Sequence, residues 1–184
     1  MRDTPTDTRS TDARSTELSI ERAEITSPPA RQLIGLLDAE LSAQYPEPGA
    51  THFRLDTDEV APDRGAFLIA KLGGRPVGCG AVRRVDASRR GSPAGELKRM
   101  YVAPDVRGRG VGRALVLALE AEARRIGLGR LVLETGVRQE AALRLYEGMG
   151  FERIAPYGEY IGSPVSVCLA KTLDPGVRRS GGTA

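Results

Sequence analysis

At 184 residues, with 40% hydrophobic and 28% charged positions, the chain has the length and composition of one globular domain flanked by tails. A formal net charge of +3 is too mild to point to nucleic acid, and no apolar run approaches a membrane span or the core of a signal peptide. The sole histidine, His52, argues against a histidine triad or a His-rich metal site, and Cys79 and Cys168, in apolar surroundings, suit reduced thiols of a cytoplasmic protein.

Residues 1–16 are Thr, Asp, Arg and Ser with nothing to bury, so they read as a disordered tail. A first strand is expected in Leu18-Ser-Ile-Glu-Arg-Ala-Glu-Ile25. Ser27-Pro28-Pro29 opens a helix, with serine as the cap and proline tolerated in the first turn. Leu33, Ile34, Leu36, Leu37 and Leu41 form its apolar stripe until Tyr45-Pro46 stops it. Residues 46–64 are irregular and acidic, carrying Asp56, Asp58, Glu59 and Asp63. They read either as a solvated loop or as a wall that attracts a cationic amine. Ala66–Leu72 and Pro76–Val85 form a hairpin about Gly73-Gly74. A Ser-, Arg- and Gly-rich loop follows at 86–95.

The stretch from Glu96 to Ile126 organises the rest. Residues 96–103 suit a strand, which Pro104 ends because it has no N–H for a sheet ladder. From Val111 the residues Leu115, Leu117, Ala118, Leu119, Ala121 and Ile126 recur at mostly helical spacing, leaving Glu120, Glu122, Arg124 and Arg125 for solvent. Between them lies Arg107-Gly108-Arg109-Gly110-Val111-Gly112. Its glycines let backbone approach a ligand, the helix start offers free N–H groups, and arginines add forked donors. That chemistry fits a diphosphate. No lysine is present for a Walker loop, and Arg113 stands where a dinucleotide fingerprint needs its third glycine.

Beyond the helix, Gly127 and Gly129 end it, Arg130–Glu134 is a short central strand, and Gln139–Met149 is a further helix. Gly150-Phe151 leads into another strand, a loop carries Tyr157 and Tyr160, and Pro164–Leu173 alternates as a last strand before a polar tail at 174–184. The element order is β-α-β-β-β-α-β-α-β-β: an α/β chain with a mixed sheet, helices on both faces and a right-handed parallel crossover within 96–149.

The pattern Arg107-x-x-Gly110-x-Gly112, after a strand ending Met100-Tyr101-Val102 and opening a helix, resembles the coenzyme A loop of the GCN5-related N-acetyltransferases. A second stretch, Glu140-Ala-Ala-Leu-Arg-Leu-Tyr146-Glu-Gly-Met-Gly150-Phe151, is similar to that family's next helix. The resemblance covers residues 17–173 and implies the family's fold, in which two central parallel strands splay apart. It implies acetyl-CoA as co-substrate, with pantetheine on the backbone of Met100, Tyr101 and Val102, and pyrophosphate on the N–H groups of Arg107, Gly108, Arg109, Gly110, Val111 and Gly112, with Arg113 beside them. An asparagine often stands seven residues before the helix tyrosine in that family; Gln139 takes its place.

An ammonium, with a pKa near ~10.4, must lose a proton before attacking a thioester, and a carboxylate can take it. Glu96, fourteen residues before Gly110, has the spacing of the base in family members that use one; otherwise it pairs with an arginine or holds the splay open. Tyr146 matches the tyrosine that protonates the leaving thiolate; otherwise it is an amphipathic core tyrosine. The backbone N–H of Val102, on the splayed strand, is the expected donor to the oxyanion. Tyr157 and Tyr160 either line the acceptor pocket or cover the sheet edge. The implied activity is direct transfer of acetyl to a primary amine of a small molecule, with a protein lysine or N-terminus as the alternative acceptor. A non-catalytic acyl-CoA sensor is the competing reading. A nucleic-acid grip by Arg107, Arg109, Arg113, Arg124 and Arg125 lacks interleaved aromatics. Dimers are common in such families, and nothing in these residues fixes the oligomeric state.

Overall fold

The computed structural model describes residues 17–47, 55–85 and 93–173. The two expected tails, His52 and most of the 86–95 loop lie outside the described residues. Seven strands and three α-helices follow in chain order: β1 Leu18–Arg22, α1 Pro28–Gln44, β2 Gly65–Leu72, β3 Arg75–Val85, β4 Ala94–Val102, α2 Val111–Arg125, β5 Arg130–Gly136, α3 Glu140–Glu147, β6 Glu152–Ile154 and β7 Ser166–Thr172. The strands form one mixed sheet in the order β1-β2-β3-β4-β5-β7-β6.

Among the described strands only β4 and β5 pair in parallel, as a strand–helix–strand crossover requires. Helices cover both faces. On one face a Cβ at Gly78 or Gly80 would meet Leu115 or Leu119 of α2. On the other, Gly136 packs under Tyr45, the residue that ends α1. The tight β2–β3 turn uses Gly73 and Gly74, both at positive φ (57° and 84°), as a two-residue hairpin favours.

Some expectations shift. β1 stops at Arg22, although the N–H of Ala23 still donates to Phe67. Ser27 is the residue before α1, but its hydroxyl makes no cap bond and is buried without a hydrogen-bond partner among the described residues. Leu36 drops out of the α1 stripe at 46% exposed, while Leu33 and Leu37 are buried. Glu120 was expected in solvent, yet it is 3% exposed. It faces the sheet, where the Lys171 ammonium donates to it at 2.6 Å, so a cross-element ion pair replaces hydration.

The end of α2 was legible. Ile126 closes the helix, Gly127 turns left-handed (φ 77°), and the N–H groups of Gly127 and Leu128 return to the carbonyls of Arg124 and Ala123. This is the Schellman arrangement, which satisfies carbonyls that the helix cannot.

Candidate active site

β4 and β5 pair only at Gly95↔Leu131, Glu96↔Val132 and Leu97↔Leu133. Beyond Leu97 the strands part. The cause lies on the other side of β4. Against β3, Cys79 opposes Tyr101 while Ala81 opposes Lys98, so β4 carries one extra residue. Arg99 absorbs it with φ 59°, the one non-glycine at positive φ among the described residues. A bulge of this kind bends and twists its strand, and here it turns the end of β4 away from β5. Past the bulge, the N–H of Ala103 donates to Val77 at 2.8 Å. Strand alternation therefore turns the N–H and C=O of Val102 the other way, toward the gap.

The chain then makes a short turn at Pro104–Val106 and enters the glycine loop. Gly108 and Gly110 sit at φ 78° and 81°, and Gly110 is the residue from which α2 starts. A Cβ at either would meet nothing within 4 Å, so backbone conformation rather than room demands glycine there. Gly112 is different. Its Cβ would lie 3.1 Å from Leu145 of α3, so its smallness lets α3 approach the first turn of α2. Helix geometry leaves the first N–H groups of α2 without internal partners, aimed where an anion would sit.

A cleft of about 580 Å³ opens at this point. Eleven of the expected residues line it: Met100, Tyr101, Val102, Arg107, Gly108, Gly110, Val111, Gly112, Arg113, Gln139 and Tyr146. Arg109 and Glu96 do not. Leu37, Glu40 and Gln44 of α1 also contribute, which sequence reading missed because they are far away in the chain. Tyr146 is buried, with its ring edge-on to Phe151 at 5.6 Å. Burial, with Glu134 adding to it, pushes its phenol above the ordinary range, so it holds its proton at neutral pH. The Gln139 amide oxygen accepts from the Thr135 hydroxyl and, at 3.1 Å, from the Gly136 N–H, which ties the β5–α3 turn together.

Glu96 is 1% exposed and saturated. Arg83 Nε and Nη2 donate to one carboxylate oxygen at 2.8 and 2.7 Å. The hydroxyls of Tyr157 and Tyr160 donate to the other at 2.9 and 3.0 Å. Arg83 also holds Glu59, so that acidic residue faces an internal arginine rather than an acceptor pocket. The Lys98 ammonium donates to the Tyr160 hydroxyl at 2.8 Å. Burial and the Glu96 charge raise the pKa of both tyrosines. Glu134, the first β5 residue past the last parallel pair, acts on both Tyr146 and Tyr160. Its place at the end of an apolar strand was the signal that sequence reading passed over. Cys79 is no nucleophile: burial pushes its thiol up to about 12.

Residues 31–151 match the sequence profile of the Acetyltransferase (GNAT) family. The chain belongs to that family. This GNAT acetyltransferase is 40% identical over 142 residues to the IAA acetyltransferase of Azospirillum brasilense, a match covering 77% of this chain and 89% of the relative. Its fold matches a protein from Klebsiella pneumoniae assigned as an acyl-CoA N-acyltransferase, with TM-score 0.70, 33% identity, and 85% and 97% of the two chains covered. It also matches a GNAT acetyltransferase from Elizabethkingia anophelis with acetyl-CoA bound, with TM-score 0.59, 20% identity, and 85% and 98% covered.

Proposed function

We propose that this acetyltransferase moves acetyl from acetyl-CoA directly to the amine of a small molecule while both are bound. The observation behind this reading is the junction of three features in one cleft: the β4–β5 gap, the left-handed glycine loop opening α2, and Tyr146. Met100 and Val102 would hold the pantetheine arm by adding it to the strand edge, whereas the backbone of Tyr101, expected to share this role, faces β3. The loop and the first turn of α2 would hold the diphosphate. The thioester supplies the activated acetyl group. The name of the Azospirillum relative favours a small acceptor over a protein.

In this scheme Tyr146 gives its proton to the leaving thiolate, and its burial keeps that proton in place until the transfer. The Val102 N–H meets the developing oxyanion. Both oxygens of Glu96 are taken, so Glu96 serves as base through the tyrosine hydroxyls that donate to it. One of these hydroxyls, Tyr157 being the more exposed of the two, passes its proton to Glu96 as it takes one from the acceptor ammonium, and it remains a phenol throughout.

The test is a melting curve with acetyl-CoA, using NAD and ATP as controls. A ligand at ~100 times its dissociation constant adds about 2.7 kcal/mol, which such a curve resolves. A shift with acetyl-CoA alone supports the reading and is followed by an amine screen for thiol release. A shift with a nucleotide instead, or none, sinks it. A shift without turnover on any amine leaves the sensor reading in its place.

A further inference from the structure

α1 touches both sides of the splay. On the β4 side Asp38 pairs with Arg99 at the bulge, and Glu40 pairs with Arg107 in the loop. On the β5 side the Arg138 N–H donates to the Tyr45 hydroxyl at 2.8 Å, Gln44 Nε2 donates to the Arg138 carbonyl at 2.9 Å, and Arg138 reaches Glu47 at 2.6 Å.

The tie at Arg107 changes what that residue is for. As the first residue of the loop pattern, its charge reads as a grip on phosphate. In the structure its Nη2 bridges both oxygens of Glu40, at 2.6 and 2.9 Å. Its Nε donates to the Val102 carbonyl at 2.9 Å, and the guanidinium lies 6.0 Å from the centre of the Tyr101 ring. The charge is therefore neutralised within the protein, and the Glu40 carboxylate would repel a phosphate brought to the same place. Arg113 lines the same cleft and makes no ion pair among the described residues. An exposed pair alone contributes little, but this guanidinium also holds a main-chain carbonyl at the mouth of the gap.

We infer that Arg107 and Glu40 are a positioning pair, a brace fixing the end of β4 to α1 so that the strand edge stands ready for the thioester arm. Phosphate charge is met by Arg113 and the helix N–H groups. The inference rests on acetyl-CoA being the donor.

The experiment compares kcat/KM with acetyl-CoA and with S-acetylpantetheine, which lacks the diphosphate and the nucleotide. It uses the wild type, R107Q, E40Q, the double variant and R113Q. The brace requires R107Q and E40Q each to lose about three- to tenfold with both donors, and the double variant to lose no more than either alone. R113Q should lose only with acetyl-CoA. A loss by R107Q confined to acetyl-CoA, or a gain by E40Q, overturns the brace and makes Arg107 a phosphate ligand. Hydrogen exchange of the free protein tests it without any donor. Amides of Ala103–Gly110 must exchange faster in both R107Q and E40Q, and unchanged exchange refutes the brace even if the donor proposal stands.

Discussion

Tyr146 keeps its proton because it is buried and has Glu134 nearby, and both effects disfavour a phenolate. Its pKa is raised, so the donor form is complete at neutral pH and is lost only above the ordinary phenol value of ~10. The rate should therefore hold on the alkaline side up to that range. Tyr146→Phe should lower kcat by about 10²-fold or more with little change in the acetyl-CoA KM, as steady-state kinetics would show. An unchanged kcat would return Tyr146 to the core. Substituting Phe for both Tyr157 and Tyr160 removes the hydroxyls through which Glu96 would act, and a kcat drop similar to that of Glu96→Gln is expected. Gly110→Ala must place a side chain at φ 81°, which costs about 1 kcal/mol and should show as a lower Tm. The glycine pattern was legible because positive φ and helix starts leave sequence signals. The saturation of Glu96 was not. Its donors Arg83, Tyr157 and Tyr160 lie 13, 61 and 64 residues away, and only the folded sheet brings them to one carboxylate.

Elements follow the same division. α2 could be read from its apolar repeat and its closing glycine, and the structure starts it at Val111 as expected. The β4 bulge could not, because the residue that absorbs it is an arginine, a type that normally avoids the left-handed region. β1 is tied to α2 by Arg22 and Glu122, a contact that no local pattern announces. Hydrogen bonding from Arg22, with Arg125 adding to it, holds the Glu122 carboxyl down at about 2. Its folded value lies below its unfolded one, so the tie is at full strength above pH ~4.5 and is lost as pH falls toward 2. Urea midpoints between pH 5 and 2.5 should fall less steeply in Glu122→Gln than in the wild type. Equal slopes would mean that the pair contributes nothing to folding.

For the whole molecule, the sheet is two blocks, β1–β4 and β5–β7, each contiguous in sequence. The parallel crossover that joins them was legible from the strand–helix alternation, but the helix that spans them was not. α1 precedes both central strands, and hydrogen bonds from Gln44 and Tyr45 at its end tie it to the turn after the second. Removing the Tyr45 hydroxyl leaves the Arg138 N–H without its partner. Tyr45→Phe should lower stability by about 1 kcal/mol and speed hydrogen exchange in the β5–α3 turn. A variant that exchanges like the wild type would show that the two blocks need no such tie.

The short junction between the blocks also makes the sheet mechanically uneven. Tension applied at Leu18 and Leu173 crosses the strands in series, through five pairs between β1 and β2, seven between β5 and β7, and only three between β4 and β5. Under load the molecule should yield at those three rungs. A donor whose arm lies along β4 would add rungs at the weakest seam, so in an optical trap acetyl-CoA should raise the force of the first rupture while leaving later ones unchanged.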